Sequence, residues 1–178
     1  MEAKPELATL PDLFCPRPRL LLIGLNPGAY SAKVGHYYGR KSNTFWRLLS
    51  ASGLVPRPMT CEDDATLPSL GIALTDLCKK VTPNIDTVSD AEFREGRVRI
   101  EAVVAALEPK VVGFVGLAGY RIAFDRKARI GLQPEKLGPA QLFVLPSTSP
   151  RALIAYNEQA QLGFWKALAA LVPAPPQA

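Results

Sequence analysis

The stretch Leu20-Leu21-Leu22-Ile23-Gly24-Leu25-Asn26-Pro27-Gly28 decides how the rest of the chain is read. Four consecutive branched aliphatic residues describe a strand covered on both faces, as in a parallel sheet between helices. The run passes straight into a turn that carries one polar side chain. Pro27 fixes its own φ and pushes Asn26 toward extended backbone, while Gly28 lets main-chain N–H groups approach a ligand with no Cβ in the way. Ligands of open α/β sheets gather beyond the carboxyl ends of the strands, so the Asn26 amide stands where such folds carry their chemistry.

The other elements alternate outward from this strand. A polar loop runs to Lys41, and a helix from about Ser42 sets Phe45, Trp46, Leu49 and Ser52 on neighbouring turns before Gly53. Gly71 to Leu77 reads as a second strand. Ser89 and Glu92 form a capping box that opens a helix through Val98, Ile100, Val103, Val104 and Leu107, closed by Glu108-Pro109. Val111 to Gly116 and Leu142 to Leu145 read as the third and fourth strands, with a short helix to about Arg126 between them. A last helix covers about Asn157 to Leu171. The order β-α-β-α-β-α-β-α predicts an α/β fold of three layers, α/β/α, around a central, mainly parallel four-stranded sheet. No internal repeat is present.

A chain of 178 residues with 48% apolar content buries one core and is too short for two comfortable domains. The predicted domain spans 19–171. Pro-rich segments 1–18 and 172–178 lack periodicity and read as loosely ordered tails. No apolar run approaches the ~20 residues of a membrane span, and Glu2, Lys4 and Glu6 stand where a signal peptide would be apolar. A cytoplasmic, intracellular protein with no membrane contact is the expectation. Cys15, Cys61 and Cys78 are odd in number and widely spaced, which argues against a disulfide framework, a zinc knuckle or a four-thiolate cluster; no metal or cofactor is expected. The net charge of +5 hints at a polyanionic partner.

Neither glycine of the first turn has the Lys-Ser/Thr sequel of a phosphate-binding P-loop. Gly113, Gly116 and Gly119 follow a strand at spacing i, i+3, i+6, where a dinucleotide fingerprint needs i, i+2, i+5, so close helix–strand packing explains them better. Leu145-Pro146-Ser147-Thr148-Ser149-Pro150-Arg151 follows a strand and therefore shares a rim with Asn26. Its hydroxyls and arginine suit phosphate, though composition alone is equally that of a solvated Ser/Pro loop. Asp76 ends the second strand, and all three points converge on one crevice if their strands are adjacent and parallel.

Taken together these residues resemble the mismatch-specific uracil-DNA glycosylases and the related thymine-DNA glycosylases. The resemblance is carried by Gly24-Leu25-Asn26-Pro27-Gly28, Gly35-His36-Tyr37-Tyr38, Asn43-Thr44-Phe45-Trp46, Gly71-Ile72 through Thr75, Glu92-Phe93-Arg94-Glu95-Gly96, Gly131-Leu132-Gln133-Pro134 and Pro146 to Arg151, at the family's distances. It covers about residues 20–168. It implies a uracil-DNA glycosylase-like fold and a monofunctional enzyme that flips uracil from double-stranded DNA, chiefly from G:U mismatches. Such an enzyme hydrolyses the N-glycosidic bond and leaves an abasic site in base-excision repair. A monomer without cofactor is implied.

By position, the resemblance makes Asn26 the catalytic residue that orients water. A neutral amide positions water and barely removes its proton, and as a bare sequence feature Asn26 could equally cap its own turn. Backbone around Leu25 and Gly28 is implied to stabilise the departing base, Tyr38 to stack on it, and Ser31 to lie beside uracil C5, where its bulk disfavours a 5-methyl group. Thr75 matches a residue near the catalytic water. Lys33, Ser147, Ser149, Pro150 and Arg151 are implied to meet DNA, with Arg151 as the wedge. The rim loop is closer to the thymine-DNA glycosylase form, and Pro150 lacks an N–H for an opposite guanine.

Asp76 is a further candidate from the residues themselves: a carboxylate entering the crevice can activate water, or can be a solvated strand-end group. Arg40, Lys41, Lys79 and Lys80 are expected on phosphate, and His36, the sole histidine, in loop polarity or a phosphate contact. The rival reading is a non-catalytic nucleic-acid-binding domain on the same scaffold, which needs charge and stacking but no water-positioning amide.

Overall fold

A computed structural model describes residues 8–82 and 85–175. Five strands, β1 (Leu20–Gly24), β2 (Ile72–Asp76), β3 (Val111–Val115), β4 (Gly131–Leu137) and β5 (Ala140–Leu145), form one sheet in the order β2-β1-β3-β5-β4. β2, β1, β3 and β5 run parallel, so their carboxyl ends share one rim. Among the described residues five α-helices accompany them: α1 (Ala29–Val34), α2 (Phe45–Ala51), α3 (Asp90–Leu107), α4 (Leu117–Ala123) and α5 (Glu158–Leu171).

The period of two in each strand divides the apolar residues between two cores. Leu20, Leu22, Leu74, Val111 and Leu145 face Phe45, Leu49, Trp165 and Leu168 of α2 and α5. Leu21, Ile23, Ala73, Phe114 and Val144 face Phe93, Ile100, Val104 and Tyr120 of α3 and α4. β1, β2 and β3 are buried at every position, as strands covered on both faces must be, and in β2 that burial takes in Thr75 and Asp76. The Ser89–Glu92 capping box is present, and Asn157 caps α5 by accepting from the Ala160 N–H at 2.9 Å. Among the described residues, no helix is long and apolar enough to cross a membrane.

Three expectations are corrected. The sheet has five strands, because Gly131–Leu137 pairs antiparallel with β5 across an irregular register between Leu132 and Lys136. It is an edge strand with Gln133, Pro134, Glu135 and Lys136 in its middle, so it lacks the apolar pattern that announces a strand. The described part of 1–18 is no loose tail. Leu13 and Leu74 exchange two backbone hydrogen bonds, at 2.9 and 2.8 Å, covering the open edge of β2, and Leu10 is in the core. At the other end Val172 packs on the core and the Pro173 carbonyl accepts from Arg19 at 3.0 Å; residues 1–7 and 176–178 lie outside the described residues. Finally, the loop after β1 contains the six-residue α1.

Candidate active site

The parallel rim closes around a cavity of about 660 Å³. Leu25, Asn26, Gly28, Ser31, Tyr38, Asp76, Ser147, Ser149, Pro150 and Arg151 all line it, so the turn after β1, the end of β2 and the loop after β5 converge. Lys33 and Thr75 do not. Lys33 is exposed in the last turn of α1. Thr75 is fully buried, its side chain donating to Asp12 Oδ1 at 2.6 Å and accepting from Arg99 at 2.8 Å. Strand alternation explains it: with Asp76 turned into the cavity, its neighbour must turn away.

Asn26 is anchored by one end of its amide. Nδ2 donates to the Lys80 carbonyl at 3.2 Å and to Thr82 Oγ1 at 3.0 Å. A backbone carbonyl only accepts, so the nitrogen must face it and Oδ1 is left as the end able to accept from water. The 78–82 segment is itself locked to the turn. Cys78 N–H donates to the Leu25 carbonyl at 2.9 Å, Thr82 N–H to the Pro27 carbonyl at 3.3 Å, and Ala29 N–H to the Thr82 carbonyl at 3.2 Å.

Gly24 and Asp76 are register partners across β1 and β2. A Cβ on Gly24 would collide with the Asp76 carboxylate and stand 2.8 Å from the Tyr38 hydroxyl, so only glycine admits both groups at the rim. Asp76 is 3% exposed, and its Oδ2 has no hydrogen-bond partner among the described residues. Burial, with a contribution from Asp12, pushes its pKa up to about 7 against the opposing pull of Lys79 and Arg99. The same burial, together with the negative charge of Asp76, raises the Tyr38 phenol well above its ordinary value.

Tyr38 takes the left-handed conformation, φ 50°, and its ring stacks on Phe45 at 3.8 Å and 9°. With one face covered by Phe45, only the opposite face can receive another ring. The costly backbone angle is held by its neighbours: Tyr37 N–H donates to Asp64 Oδ2 at 3.0 Å, and Trp46 Nε1 donates to the Tyr37 carbonyl at 3.0 Å. His36, expected in loop polarity or on phosphate, lies 3.1 Å from the buried Asp64 through Nδ1. Ser31 Oγ accepts from the Gly39 N–H at 3.0 Å, which fixes the hydroxyl at the cavity wall.

The loop after β5 is tied down at its centre, where the Thr148 carbonyl accepts from the Thr44 N–H at 3.0 Å. Ser147 and Ser149 bond each other at 3.1 Å, and Arg151 is exposed at the start of a 3-10 helix, Pro150–Ile154. Arg40 is exposed over the Tyr30 ring at 4.9 Å. Two lysines expected on phosphate are engaged elsewhere: Lys79 donates to Asp12 at 2.8 Å and to the Tyr37 hydroxyl at 3.3 Å, and Lys80 donates to Glu92 at 2.8 Å. The glycines after β3 serve packing, as expected; a Cβ on Gly116, φ 117°, would meet Leu25 at 2.9 Å.

Asp12, Thr82 and Arg99 escaped the sequence reading. Thr82 and Asp12 sit in segments without periodicity, and Arg99 looks like one more solvated helix cation; only the fold brings them to the rim residues.

The architecture is that of the uracil-DNA glycosylase-like α/β proteins. It is shared with a candidate uracil DNA glycosylase from Methanosarcina acetivorans, known from a solution NMR structure. The match has a TM-score of 0.63 and 20% sequence identity, and covers 93% of this chain and 98% of that one. The chain belongs to the family described as the Uracil DNA glycosylase superfamily, whose model matches residues 11–172. It is also 30% identical over 174 residues to a G/U mismatch-specific uracil DNA glycosylase of Schizosaccharomyces pombe; the match takes in 92% of this chain but spans only about half, 53%, of that relative.

Proposed function

We propose that this chain is a monofunctional DNA glycosylase, a hydrolase of N-glycosyl bonds that removes uracil from DNA, chiefly from G:U mismatches, and leaves an abasic site. The observation that carries the reading is the anchored Asn26 amide facing the same cavity as the buried Asp76 carboxylate. Family membership and the description of the Schizosaccharomyces pombe relative support the substrate.

A flipped nucleotide enters the cavity with its base against the open face of Tyr38. Asn26 Oδ1 accepts a hydrogen bond from a water and aims its oxygen at C1′. As the C1′–N bond breaks, its electron pair leaves with the base, the sugar gains oxocarbenium character, and the water oxygen bonds to C1′. The ionised Asp76 takes the proton that the neutral amide cannot, and its charge favours the cationic sugar. Ser31 lies where a 5-methyl group would crowd the wall, so uracil is preferred to thymine. Arg151 fills the gap in the base stack while Ser147 and Ser149 hold phosphate. The protein acts as a monomer, inside the cell with the DNA.

Single-turnover excision from duplexes with uracil opposite G and opposite A, and from single strands, tests the reading. Activity in the parent protein that collapses at least 100-fold in Asn26→Ala is the expected result. Duplex binding with no excision from any substrate would replace it by the non-catalytic binding domain. Borohydride trapping of a covalent adduct would point instead to a lyase with an amine nucleophile.

A further inference from the structure

Behind Asp76 lies a cluster of charges that the hydrolysis just described does not use. Asp12 accepts from Lys79 Nζ at 2.8 Å and from Thr75 Oγ1 at 2.6 Å through one oxygen, and from Arg99 at 3.2 Å through the other. Arg99 also donates to Thr75 Oγ1 at 2.8 Å and to the backbone carbonyl of Asp76 itself. Lys79 reaches the Tyr37 hydroxyl at 3.3 Å, and that hydroxyl donates to the Pro11 carbonyl at 3.1 Å. The cluster joins four separate pieces of chain: the segment of Leu10 to Leu13 paired with the β2 edge, Tyr37 from the turn after α1, the residues that end and follow β2, and α3.

We propose that Asp12 is a positioning residue for Asp76, acting through Lys79 and Arg99: it neutralises these two cations, pins the N-terminal segment to β2, and so sets the charge state of the carboxylate that meets water. The inference rests on the glycosylase reading of the site.

The groups facing Asp76 are few and come from every neighbouring element. They are Asp12 from the N-terminal segment, Lys79 after β2, Arg99 from α3, and Tyr37 and Tyr38 from the turn after α1. Lys79 and Arg99 favour the ionised carboxylate and Asp12 opposes it. The four charges therefore act as a balance, and removing one side must tip it. Asp12→Asn leaves both cations uncompensated, so Asp76 ionises at lower pH. Lys79→Met leaves Asp12 less compensated, so Asp76 ionises at higher pH. A purely structural role predicts lost activity in both variants but gives no reason for shifts of opposite sign.

The test is the pH profile of single-turnover uracil excision, from pH 5 to 9, for the parent, Asp12→Asn, Lys79→Met and Asp76→Asn, each first shown to fold by thermal melting. The acid limb is expected to move down in Asp12→Asn and up in Lys79→Met, so that the ratio of rates at pH 6 and pH 8 rises several-fold in the first and falls several-fold in the second. Limbs that stay put, or move together, overturn the proposal. If Asp12→Asn does not fold, Asp12→Ser, which also removes the charge, must give the same downward shift. A parental profile in Asp76→Asn would overturn the catalytic use of Asp76 and this inference with it. Loss of activity in Asp76→Asn with unmoved limbs in the other two would overturn only the role of Asp12.

Discussion

Gly24 and Asp76 face each other across β1 and β2, and the carboxylate of Asp76 occupies the space that a Cβ on Gly24 would need. The glycine is thus part of the site without offering a functional group. Gly24→Ala is expected to fold with a loss of about 1–3 kcal/mol from overpacking. Excision should fall at least tenfold, because both Asp76 and the Tyr38 hydroxyl must shift. Denaturant unfolding beside single-turnover kinetics checks both parts.

Asp76 also predicts how stability depends on pH. Its folded-state pKa of about 7 lies above the unfolded value of 3.8, so the native state holds this proton more tightly. The contribution is fully present below pH 4 and is lost as pH rises toward 7 and beyond. Asp76→Asn should therefore be more stable than the parent at pH 8, by roughly 1–4 kcal/mol, with the gap closing by pH 4. Unfolding midpoints across that range would show it; a gap that does not change with pH would refute the raised pKa.

The orientation of Asn26 depends on Thr82. Thr82→Val removes the hydroxyl that accepts from Nδ2 at 3.0 Å and leaves the Lys80 carbonyl as the remaining strong anchor. A hydrogen bond to a neutral group is worth about 1 kcal/mol, so excision should drop about five- to tenfold in kcat with little change in KM, and Thr82→Ser should restore it.

Salt dependence separates the cations. Arg151 is exposed at the cavity, whereas Lys79 is ion-paired with Asp12. Arg151→Ala should reduce the slope of log K against log salt by about 0.9 for each phosphate that the arginine neutralises in the parent protein. Lys79→Met should leave it unchanged. Equal effects from the two variants would return Lys79 to the DNA surface.

Ile154 is 91% exposed and ends the 3-10 helix, Pro150–Ile154, that carries Arg151 in its first turn. Side chains at i and i+3 eclipse in such a helix, which puts Ile154 on the same face as Arg151, and under the proposed reading it adds an apolar group to the wedge. Ile154→Ser is expected to slow excision from duplex DNA several-fold and to leave excision from single strands unaltered.

Much of this molecule was written locally. The short apolar-rich runs of β1, β2, β3 and β5 announce a parallel sheet, because a strand buried on both faces has little polar side to show, and chain order then puts Asn26, Asp76 and Arg151 at one rim. Pro27 and Gly28 mark the turn, and Ser89 with Glu92 marks the start of α3, since caps and turns are decided by neighbours in the chain. The tertiary structure alone decided which charges neutralise each other and which groups lose water. Asp12 meets Lys79 and Arg99 across 67 and 87 residues, Thr82 meets the Asn26 amide across 56, and the hydrophilic β4 becomes a strand only because β5 offers it an edge. Electrostatic and hydrogen-bond partners are set by distance in space and by desolvation, and neither quantity exists until the chain has folded.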